Sequence, residues 1–481
     1  MCNLWVAWLR VLLLFTVFEI YWTTTGFFTH PVLKPTVPPV VHNQPFNIFW
    51  AAPTMQCKHF FNVDLHLQLF NIIANPLETQ SGSTITIFYP NQLGYYPYFS
   101  NNRKSINGGI PQNMSLSKHL KKTADDIAKV IPLWRSEGLV VIDWENWKPQ
   151  WDRNWGNRIV YKKHSLAFTR RHHPDWSEMK VKTIAQQEFE NAGRNFMNIT
   201  LTLALEMRPR CLWGFYLYPD CYNYDYRINP QSYTGNCPSD EIFRNDQLQW
   251  LWEKSSALYP SIYLDKILKS SLNALKFVHY RVYESMRIST MTSHDYALPV
   301  FVYTRLGYRD EPLFFLSKQD LIRTIGESAA LGAAGIVIWG DMNLTSSEGN
   351  CTKVKQFVSS DFGRYIVNVT RAAEVCSRYL CRNNGRCIRK RWKAPDYLHL
   401  SSASYHIETS EDGDITVTGK TSDTDLEVMA EKFSCHCYQG YEGADCREMK
   451  TADGCAWVSP VSGSLLTLYL LVIACGWSIQ L

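Results

Sequence analysis

Short apolar segments alternate with longer amphipathic segments from about residue 47 to residue 369, and this alternation constrains the fold more than any other feature. The apolar segments are rich in β-branched and aromatic residues and are bounded by Gly, Pro or Asn, which is typical of buried parallel strands. The predicted strands are 47–52, 84–89, 139–143, 212–218, 298–304 and 335–339, and the predicted helices include 116–130, 182–205 and 318–331.

The composition is that of a folded protein. Hydrophobic residues make up 46% of the chain and charged residues 19%, which excludes a disordered or collagen-like protein. A net charge of +5 over 481 residues disfavours a nucleic-acid-binding protein that neutralises phosphates. The strand–helix alternation predicts an α/β fold, one barrel of the TIM type at residues 40–370, in which the chemistry lies at the carboxyl ends of the strands.

Cysteines and glycosylation sequons indicate the secretory pathway. The chain has 14 cysteines. An apolar run at 11–18 is too short to span a bilayer, so residues 1–25 are predicted to be a signal peptide, with an uncleaved N-terminal anchor as the alternative. Glycosylation is predicted at the sequons of Asn113, Asn198, Asn343, Asn350 and Asn368.

A second apolar run, 465–477, lies close to the C-terminus and contains no charged residue. It is short for a membrane span and lacks a basic flank, whereas small residues near Asp453, a spacer and an apolar tail fit a GPI-attachment signal. The tail 454–481 is therefore predicted to attach the protein to the cell-surface membrane. A terminal helix that is buried or lies in the membrane interface is the alternative.

A small disulfide-rich module is predicted at residues 373–449. The spacings C-x4-C-x5-C and C-x-C-x8-C resemble an EGF-like module that carries an insertion at 388–434. Six cysteines alone allow fifteen pairings, so the pairing rests on the resemblance. It joins Cys376–Cys387, Cys381–Cys435 and Cys437–Cys446.

Two further pairs are predicted among the remaining cysteines. Cys221 and Cys237 close a short loop, and Cys57 and Cys351 are left to join the first strand to the end of the barrel. No partner is assigned to Cys211, Cys2, Cys455 or Cys475. The chain has no C-x2-C pair and no His-x3–5-His arrangement, so neither a metal site nor a cofactor is expected.

The predicted strand 139–143 runs directly into Asp143-Trp144-Glu145. Residues i and i+2 of a strand point to the same side, so Asp143 and Glu145 share one face at the end of an apolar strand. Two close carboxyl groups do not both ionise easily, and a raised pKa suits a general acid that protonates a glycosidic oxygen. The alternative is an acidic pair hydrogen-bonded to backbone. Surfaces for sugar rings are expected at Trp144, Trp147, Trp151 and Trp155.

The stretch from Asp143 to Trp155, DWENWKP followed by RNW, resembles the signature of the vertebrate and venom hyaluronidases. The resemblance extends over about residues 45 to 450, and 284–304 and 326–355 are most similar to the branch that hydrolyses chondroitin sulfate. Further matching motifs are LGYYP at 93–97, GGIPQN at 108–113, WGFY at 213–216, PDC at 219–221 and ALYPS at 257–261.

The resemblance implies an endo-β-N-acetylhexosaminidase on a distorted (β/α) barrel, which cleaves β-1,4 bonds of chondroitin, chondroitin sulfate or hyaluronan with retention of configuration. The nucleophile is then the 2-acetamido oxygen of the substrate. Glu145 is implied to protonate the leaving oxygen and later activate water, and Asp143 to orient the acetamido N–H. Tyr216 is implied to hold the acetamido oxygen. On the residues alone, Tyr216 is better interpreted as a core tyrosine bonded to a loop carbonyl.

The resemblance also implies residues that line the substrate groove, namely Tyr96, Tyr263 and Trp339. Ser261 and Tyr263 are expected to face the hexosamine hydroxyl whose configuration separates hyaluronan from chondroitin. Tyr263 is the residue expected for hyaluronan, whereas the C-terminal half favours chondroitin.

Charged residues are predicted at the groove as well. Arg281 is implied to face substrate carboxylates through paired hydrogen bonds, with a helix-surface ion pair to Glu284 as the alternative. Asp310 is expected to contact sugar. The rival function is a glycosaminoglycan-binding or adhesion protein with little catalysis, which the module and the anchor would suit. Asp143, Glu145 and Tyr216 together argue against it, because a binding protein does not need all three.

Overall fold

The computed structural model of the chain describes residues 34–410 and 415–450. The predicted signal peptide 1–25, the tail 454–481, and Cys2, Cys455 and Cys475 lie outside the described residues. Within the described ranges, no helix is long and apolar enough to cross a membrane.

Parallel strands form the centre of the larger part of the molecule. They are β1 Asn47–Ala51, β2 Ile72–Ala74, β3 Ile85–Phe88, β6 Gly138–Ile142, β7 Cys211–Phe215, β8 Phe301–Thr304 and β9 Gly335–Trp339, while β4 Tyr98–Phe99 and β5 Ser105–Ile106 form a separate hairpin. One sheet has the order β3-β6-β7 and the other β2-β1-β9-β8. Most of these strands are buried along their whole length, which explains their continuous apolar sequence.

Single contacts join the two sheets at both edges. The segment 257–261, which the sequence analysis assigned to no strand, forms parallel bridges on one side to Tyr216 and on the other to Val300. At the opposite edge, Asn75 Oδ1 accepts hydrogen bonds from the backbone N–H groups of Thr84 at 2.9 Å and Ile85 at 3.1 Å. Neighbouring strands therefore follow chain order, and the last one, β9, pairs in parallel with β1.

Helices fill the connections between the strands. They are α1 Met55–Phe61, α2 Leu116–Val130, α3 Ile159–His172, α4 Glu178–Met207, α5 Ser239–Gln247, α6 Gln249–Trp252, α7 Leu272–Ser289, α8 Lys318–Leu321, α9 Glu327–Ala330, α10 Glu348–Phe357, α11 Gly363–Leu380 and α12 Asp423–Lys432. The π-helical segments Ile322–Gly326 and Val358–Phe362 join α8 to α9 and α10 to α11. Helix α2 has the predicted bounds, and α4 begins four residues before the predicted 182 because Ser177 caps the Lys180 N–H.

The C-terminal part contains short antiparallel strand pairs. β10 Gly385–Arg389 pairs with β13 Phe433–Cys437, β11 Tyr405–Thr409 with β12 Ile415–Gly419, and β14 Tyr441–Glu442 with β15 Glu448–Met449. The predicted boundary between 370 and 373 falls inside α11, so one helix continues into the cysteine-rich part. A buried ion pair between Arg389 and Glu327 also connects the two parts.

In the part of the chain that the structure describes, five disulfides link the cysteines that were paired from the sequence. They are Cys57–Cys351, Cys221–Cys237, Cys376–Cys387, Cys381–Cys435 and Cys437–Cys446. The Cys211 thiol is free and buried, and it donates to the Ser136 carbonyl at 3.2 Å.

Candidate active site

Asp143 and Glu145 directly follow β6, at the carboxyl end of the parallel strands. The Asp143 N–H donates to the Phe88 carbonyl at 2.9 Å, which continues the pairing of β6 with β3 for one more residue. Both carboxyl groups line a cavity of about 90 Å³. The other lining residues come from neighbouring strands or the segments after them: Ile87, Val141, Tyr216, Tyr263, Tyr303, Arg305 and Trp339.

The surroundings of Asp143 change the acidity of its carboxyl group. Burial, and next the negative charge of Glu145, raise the pKa of Asp143 from 3.8 to about 7. Lys148 opposes this rise to a smaller extent. Asp143 therefore keeps its proton up to near-neutral pH, as expected for a carboxyl group in a partly dry site beside another acidic residue.

Tyr216 lies at the end of β7, and its N–H donates to the Ile142 carbonyl at 3.0 Å, which holds it beside the carboxyl pair. Its phenol donates to Ser261 Oγ at 3.4 Å. Burial, and next the charge of Glu145, raise the pKa of the Tyr216 phenol well above its usual value. The phenol therefore stays protonated, and its single O–H can turn from Ser261 Oγ to an acceptor in the cavity.

Tyr263 and Trp339 line the cavity next to Tyr216, and the Tyr216 and Tyr263 ring centroids are 6.3 Å apart. Their rings are stacked with centroids 6.2 Å apart, and the Arg305 guanidinium lies 4.8 Å from the first ring and 4.5 Å from the second. Arg305 also pairs with Asp341 at 3.0 Å. The sequence analysis missed Arg305, although it directly follows the predicted strand 298–304 and so occupies the position where chemistry is expected.

The aromatic residues proposed near the carboxyl pair divide into two groups. Trp144 and Trp147 are only 3% and 2% exposed, and both stack on Tyr96, which is fully buried. None of these three lines the cavity. The expectation that they offer surfaces to sugar is therefore corrected: they pack behind the strand end. Trp151 is also buried, and Trp155 is 46% exposed.

Arg281 does not face the cavity, contrary to the expectation from the resemblance. Its Nε donates to Asn223 Oδ1 at 2.9 Å, its Nη1 donates to the Ser261 carbonyl at 3.0 Å, and Asp220 lies 3.5 Å away. The side chain is 3% exposed. The alternative pairing with Glu284 is absent as well, because Glu284 binds Arg287.

Two further predicted contacts have different surroundings from those expected. Ser261 is buried, although its hydroxyl receives the Tyr216 hydrogen bond at the cavity wall. Asp310 is exposed and accepts a hydrogen bond from the Lys266 N–H at 2.8 Å. Asp310 does not line the cavity.

A second, larger cleft adjoins Glu145. It has a volume of about 840 Å³ and shares only Glu145 with the small cavity. Its walls come from the loop after β4 and from the first turns of α3 with the 3₁₀ turn Gly156–Arg158 before it. Besides Glu145, the charged and aromatic residues on these walls are Phe99, Arg103, Trp155, Arg158, Tyr161, Lys163 and His164.

Across residues 34–410 and 415–450, no group of three or more His, Cys, Asp or Glu side chains could hold a metal ion. Asn113 and Asn343 are exposed, and Asn198, Asn350 and Asn368 are half-buried. Asn368 Oδ1 accepts a hydrogen bond from the Leu400 N–H at 2.8 Å.

Comparison with known proteins identifies the family. The hyaluronidase family model matches residues 35–450. The chain belongs to the hyaluronidase family. Human Hyaluronidase-4 is 61% identical over 93% of this chain and 93% of its own length, and the hyaluronidase of Echis ocellatus is 51% identical over 86% and 93%. Hyaluronidases of this family are glycoside hydrolases, and so is this chain.

A solved structure supports the relationship. Bee venom hyaluronidase in complex with a hyaluronic acid tetramer superimposes with a TM-score of 0.61 at 32% identity, over 67% of this chain and 98% of that chain. Its agreement with the present structure supports a mixed α/β fold with parallel sheets.

Proposed function

We propose that this hyaluronidase is an endo-β-N-acetylhexosaminidase that hydrolyses β-1,4 bonds of chondroitin and chondroitin sulfate, and of hyaluronan as a second substrate. The observation that carries the proposal is the meeting of Asp143, Glu145 and Tyr216 in one cavity at the carboxyl ends of the strands. The bee venom enzyme, whose crystal structure contains a hyaluronic acid tetramer, supports a glycosaminoglycan as the substrate.

The reaction begins with proton transfer. Glu145 gives its proton to the glycosidic oxygen while the substrate's 2-acetamido oxygen attacks the anomeric carbon, which breaks the bond to the leaving sugar. Asp143 accepts a hydrogen bond from the acetamido N–H. Because a donor favours the charged form of a carboxyl group, this contact leaves the proton of the pair on Glu145.

The Tyr216 phenol holds the acetamido oxygen for attack. Its raised pKa keeps it a donor, and a fixed donor lowers the entropy cost of reaching the reactive geometry. Glu145, now a carboxylate, then takes a proton from water as the water opens the oxazolinium-like intermediate. Two displacements on the same carbon return it to its starting configuration, so the enzyme retains configuration.

The part of the cavity formed by Tyr263, Trp339 and Arg305 binds the sugar. Tyr263 and Trp339 offer ring faces, and Arg305 lies between them and Asp341 as a cation for a uronate carboxylate. Arg281 and Tyr96 take supporting roles: Arg281 fixes the Ser261 carbonyl, and Tyr96 packs behind the carboxyl pair. A sugar contact by Asp310 would lie outside this cavity.

The finer architecture is part of the proposal. The two parallel sheets, joined at 257–261 and through Asn75, are interpreted as one distorted (β/α) barrel at 40–370. The three disulfides between Cys376 and Cys446 support an EGF-like module at 373–449 with a long insertion. The disulfides and sequons together support passage through the secretory pathway.

Hydrolysis is tested with a reducing-end assay on hyaluronan, chondroitin and chondroitin sulfates, with wild type and Glu145→Gln compared. We expect wild type to release new reducing ends fastest from chondroitin substrates and the variant to release almost none. Equal release by both proteins on every substrate would contradict the proposal and favour a glycosaminoglycan-binding or adhesion protein.

Cell-surface attachment through a GPI anchor at 454–481 is tested separately, on cells that express the full chain. Treatment with a phosphatidylinositol-specific phospholipase C is expected to release the protein into the medium. Protein that stays with the membrane would contradict the anchor.

A further inference from the structure

Glu145 lies between the small cavity and the larger cleft. The small cavity contains Asp143 and Tyr216, and the larger cleft contains Arg103, Arg158 and Lys163. Glu145 is the one residue that lines both. A group in this position can reach a bond whose two sugars occupy one space each.

If the proposed function holds, the reaction determines which sugar of the polymer occupies the small cavity and which occupies the larger cleft. The sugar that carries the acetamido group must lie at the small cavity, with this group beside Asp143 and Tyr216. The general acid protonates the oxygen that joins this sugar to the leaving sugar. The leaving sugar and those that follow it toward the reducing end therefore enter the larger cleft.

The charges of the larger cleft are suited to an anionic chain. Arg103, Arg158 and Lys163 line it, and Glu145 is the one acidic residue on its walls. Within the described residues, none of the three cations forms an ion pair with a carboxylate. Cations that face a cleft without acidic partners raise the local concentration of anions.

Arg158 is also held in place. Its Nε and Nη2 both donate to the Glu145 carbonyl, at 3.0 and 2.9 Å. These bonds occupy one edge of the guanidinium, and within residues 34–410 and 415–450 its Nη1 has no hydrogen bond or ion pair. Arg158 lines the cleft beside Glu145, the proposed acid. A planar guanidinium fixed in this way is suited to a carboxylate on the first leaving-side sugar.

An aromatic surface lies beside these cations. Trp155 is 46% exposed on the cleft wall, and its ring packs edge-on against Tyr222 with centroids 5.5 Å apart. An exposed indole held by a neighbouring ring gives a flat apolar surface next to charged groups. This combination suits a sugar chain that carries carboxylates or sulfates.

We propose that the larger cleft binds the leaving-group side of the polymer, and that Arg103, Arg158 and Lys163 recognise the carboxylate and sulfate groups of those sugars. The ligand is an oligosaccharide of alternating uronate and N-acetylhexosamine units. Trp155 supplies the surface on which one ring rests. Arg158 acts nearest to the cleaved bond, and Arg103 and Lys163 contact sugars around it.

The first test measures where the enzyme cuts. The substrate is a chondroitin sulfate decasaccharide labelled at its reducing end, and the variant is Arg103→Ala with Lys163→Ala. With fewer leaving-side contacts, the substrate shifts toward the small-cavity side, so the labelled fragments should become shorter. KM should rise about fivefold, as expected for two partly exposed charge contacts, while kcat changes less than twofold.

A matched control is the pair Lys121→Ala with Lys129→Ala, which removes two exposed lysines of α2 that do not line the cleft. It should leave KM and the fragment lengths unchanged. An unchanged fragment pattern in the Arg103/Lys163 variant, or a shift toward longer labelled fragments, would overturn the assignment of this cleft to the leaving side.

The second test does not depend on hydrolysis. Binding of the same decasaccharide is titrated on the Glu145→Gln protein, with and without the Arg103/Lys163 substitutions. We expect about fivefold weaker binding without the two cations, and a smaller difference in high salt because ions screen exposed charges. Equal affinity would overturn the proposal. Weaker binding in a protein whose wild type cleaves no polymer would support the anionic ligand and contradict only the proposed hydrolysis.

Discussion

The segment from Asp143 to Trp147 has two sides that differ in exposure, polarity and neighbours. On one side, Asp143 and Glu145 line the cavity, partly exposed and beside a tyrosine donor. On the other side, Trp144 and Trp147 are nearly fully buried and stack on Tyr96 with ring centroids 4.6 and 5.3 Å away. The cavity side, proposed to be catalytic, carries polar groups that water or a ligand can reach, and the packed side carries rings that fix the strand end.

Strand geometry explains the difference. If residues 143 and 145 share one face of an extended strand, residue 144 must point to the opposite face. Asn146 lies in a bend, after which Trp147 also turns to the packed side, where its indole N–H donates to the Pro97 carbonyl at 2.8 Å. The packed side therefore affects the cavity only by positioning the strand end. Substitutions on the two sides should have different effects on kcat and on stability.

The largest expected effect comes from Asp143→Asn. The variant loses the charge that balances the oxazolinium-like intermediate, so kcat should fall about 10³-fold, on the order of 4 kcal/mol. Its melting temperature should not fall, because a neutral side chain is easier to bury. Reducing-end kinetics and thermal unfolding measure the two quantities, with Asp125→Asn on the exposed face of α2 as the control. A variant with near-normal kcat would contradict the catalytic role of this side.

Trp147→Ala should have the opposite profile. Removing a buried indole leaves a cavity between Tyr96 and Phe189, and unfolding should become easier by about 3 kcal/mol. The kcat of the folded fraction should fall much less than in Asp143→Asn. Urea unfolding measures the free energy of unfolding, and kinetics normalised to the amount of folded enzyme measure kcat. Normal stability with a large rise in KM would mean that Trp147 contacts sugar after all.

Strands and carboxyl positions were predictable from sequence because they depend on local pattern. All six predicted strands are present, and the i, i+2 spacing placed Asp143 and Glu145 on one face. Strand β8 begins at Phe301 instead of 298, after Pro299, which has no N–H to pair. The segment 257–261 was missed because it joins its neighbours only by single bridges.

Side-chain exposure was less predictable because it depends on what packs against each residue. Arg281 matches a groove residue of the family, but Asp220 and Asn223 hold it inside the protein. Arg305 lines the cavity at the end of β8 and was overlooked because no motif marks it. The resemblance predicts a role for a residue from its place in a motif. Whether the side chain is buried or exposed depends on neighbours from distant parts of the chain, which a motif does not show.

Tyr216→Phe tests the second member of the catalytic side, with a smaller expected effect. The substitution removes the hydroxyl that holds the acetamido oxygen, so kcat should fall about 30-fold, on the order of 2 kcal/mol. Tyr259→Phe is a matched control, since its hydroxyl donates to the Leu212 carbonyl away from the cavity. Steady-state kinetics of both variants decide: equal losses in kcat would contradict a specific role for Tyr216.

The smallest expected effect is a difference in pH dependence between the two sides. The folded-state pKa of Asp143 is raised from 3.8 to about 7, so the folded protein holds this proton more tightly than the unfolded chain. The resulting stabilisation is complete below about pH 4 and is lost as the pH rises through about 7. Stability of wild type relative to Asp143→Asn should therefore fall by about 1 kcal/mol or more between pH 5 and pH 7.

Wild type relative to Trp147→Phe should show no such change, because the packed side has no group that titrates in this range. Urea unfolding of the three proteins at both pH values measures the differences. A constant gap between wild type and Asp143→Asn would contradict the raised pKa of Asp143, because Asp143 would then not change its charge between pH 5 and pH 7.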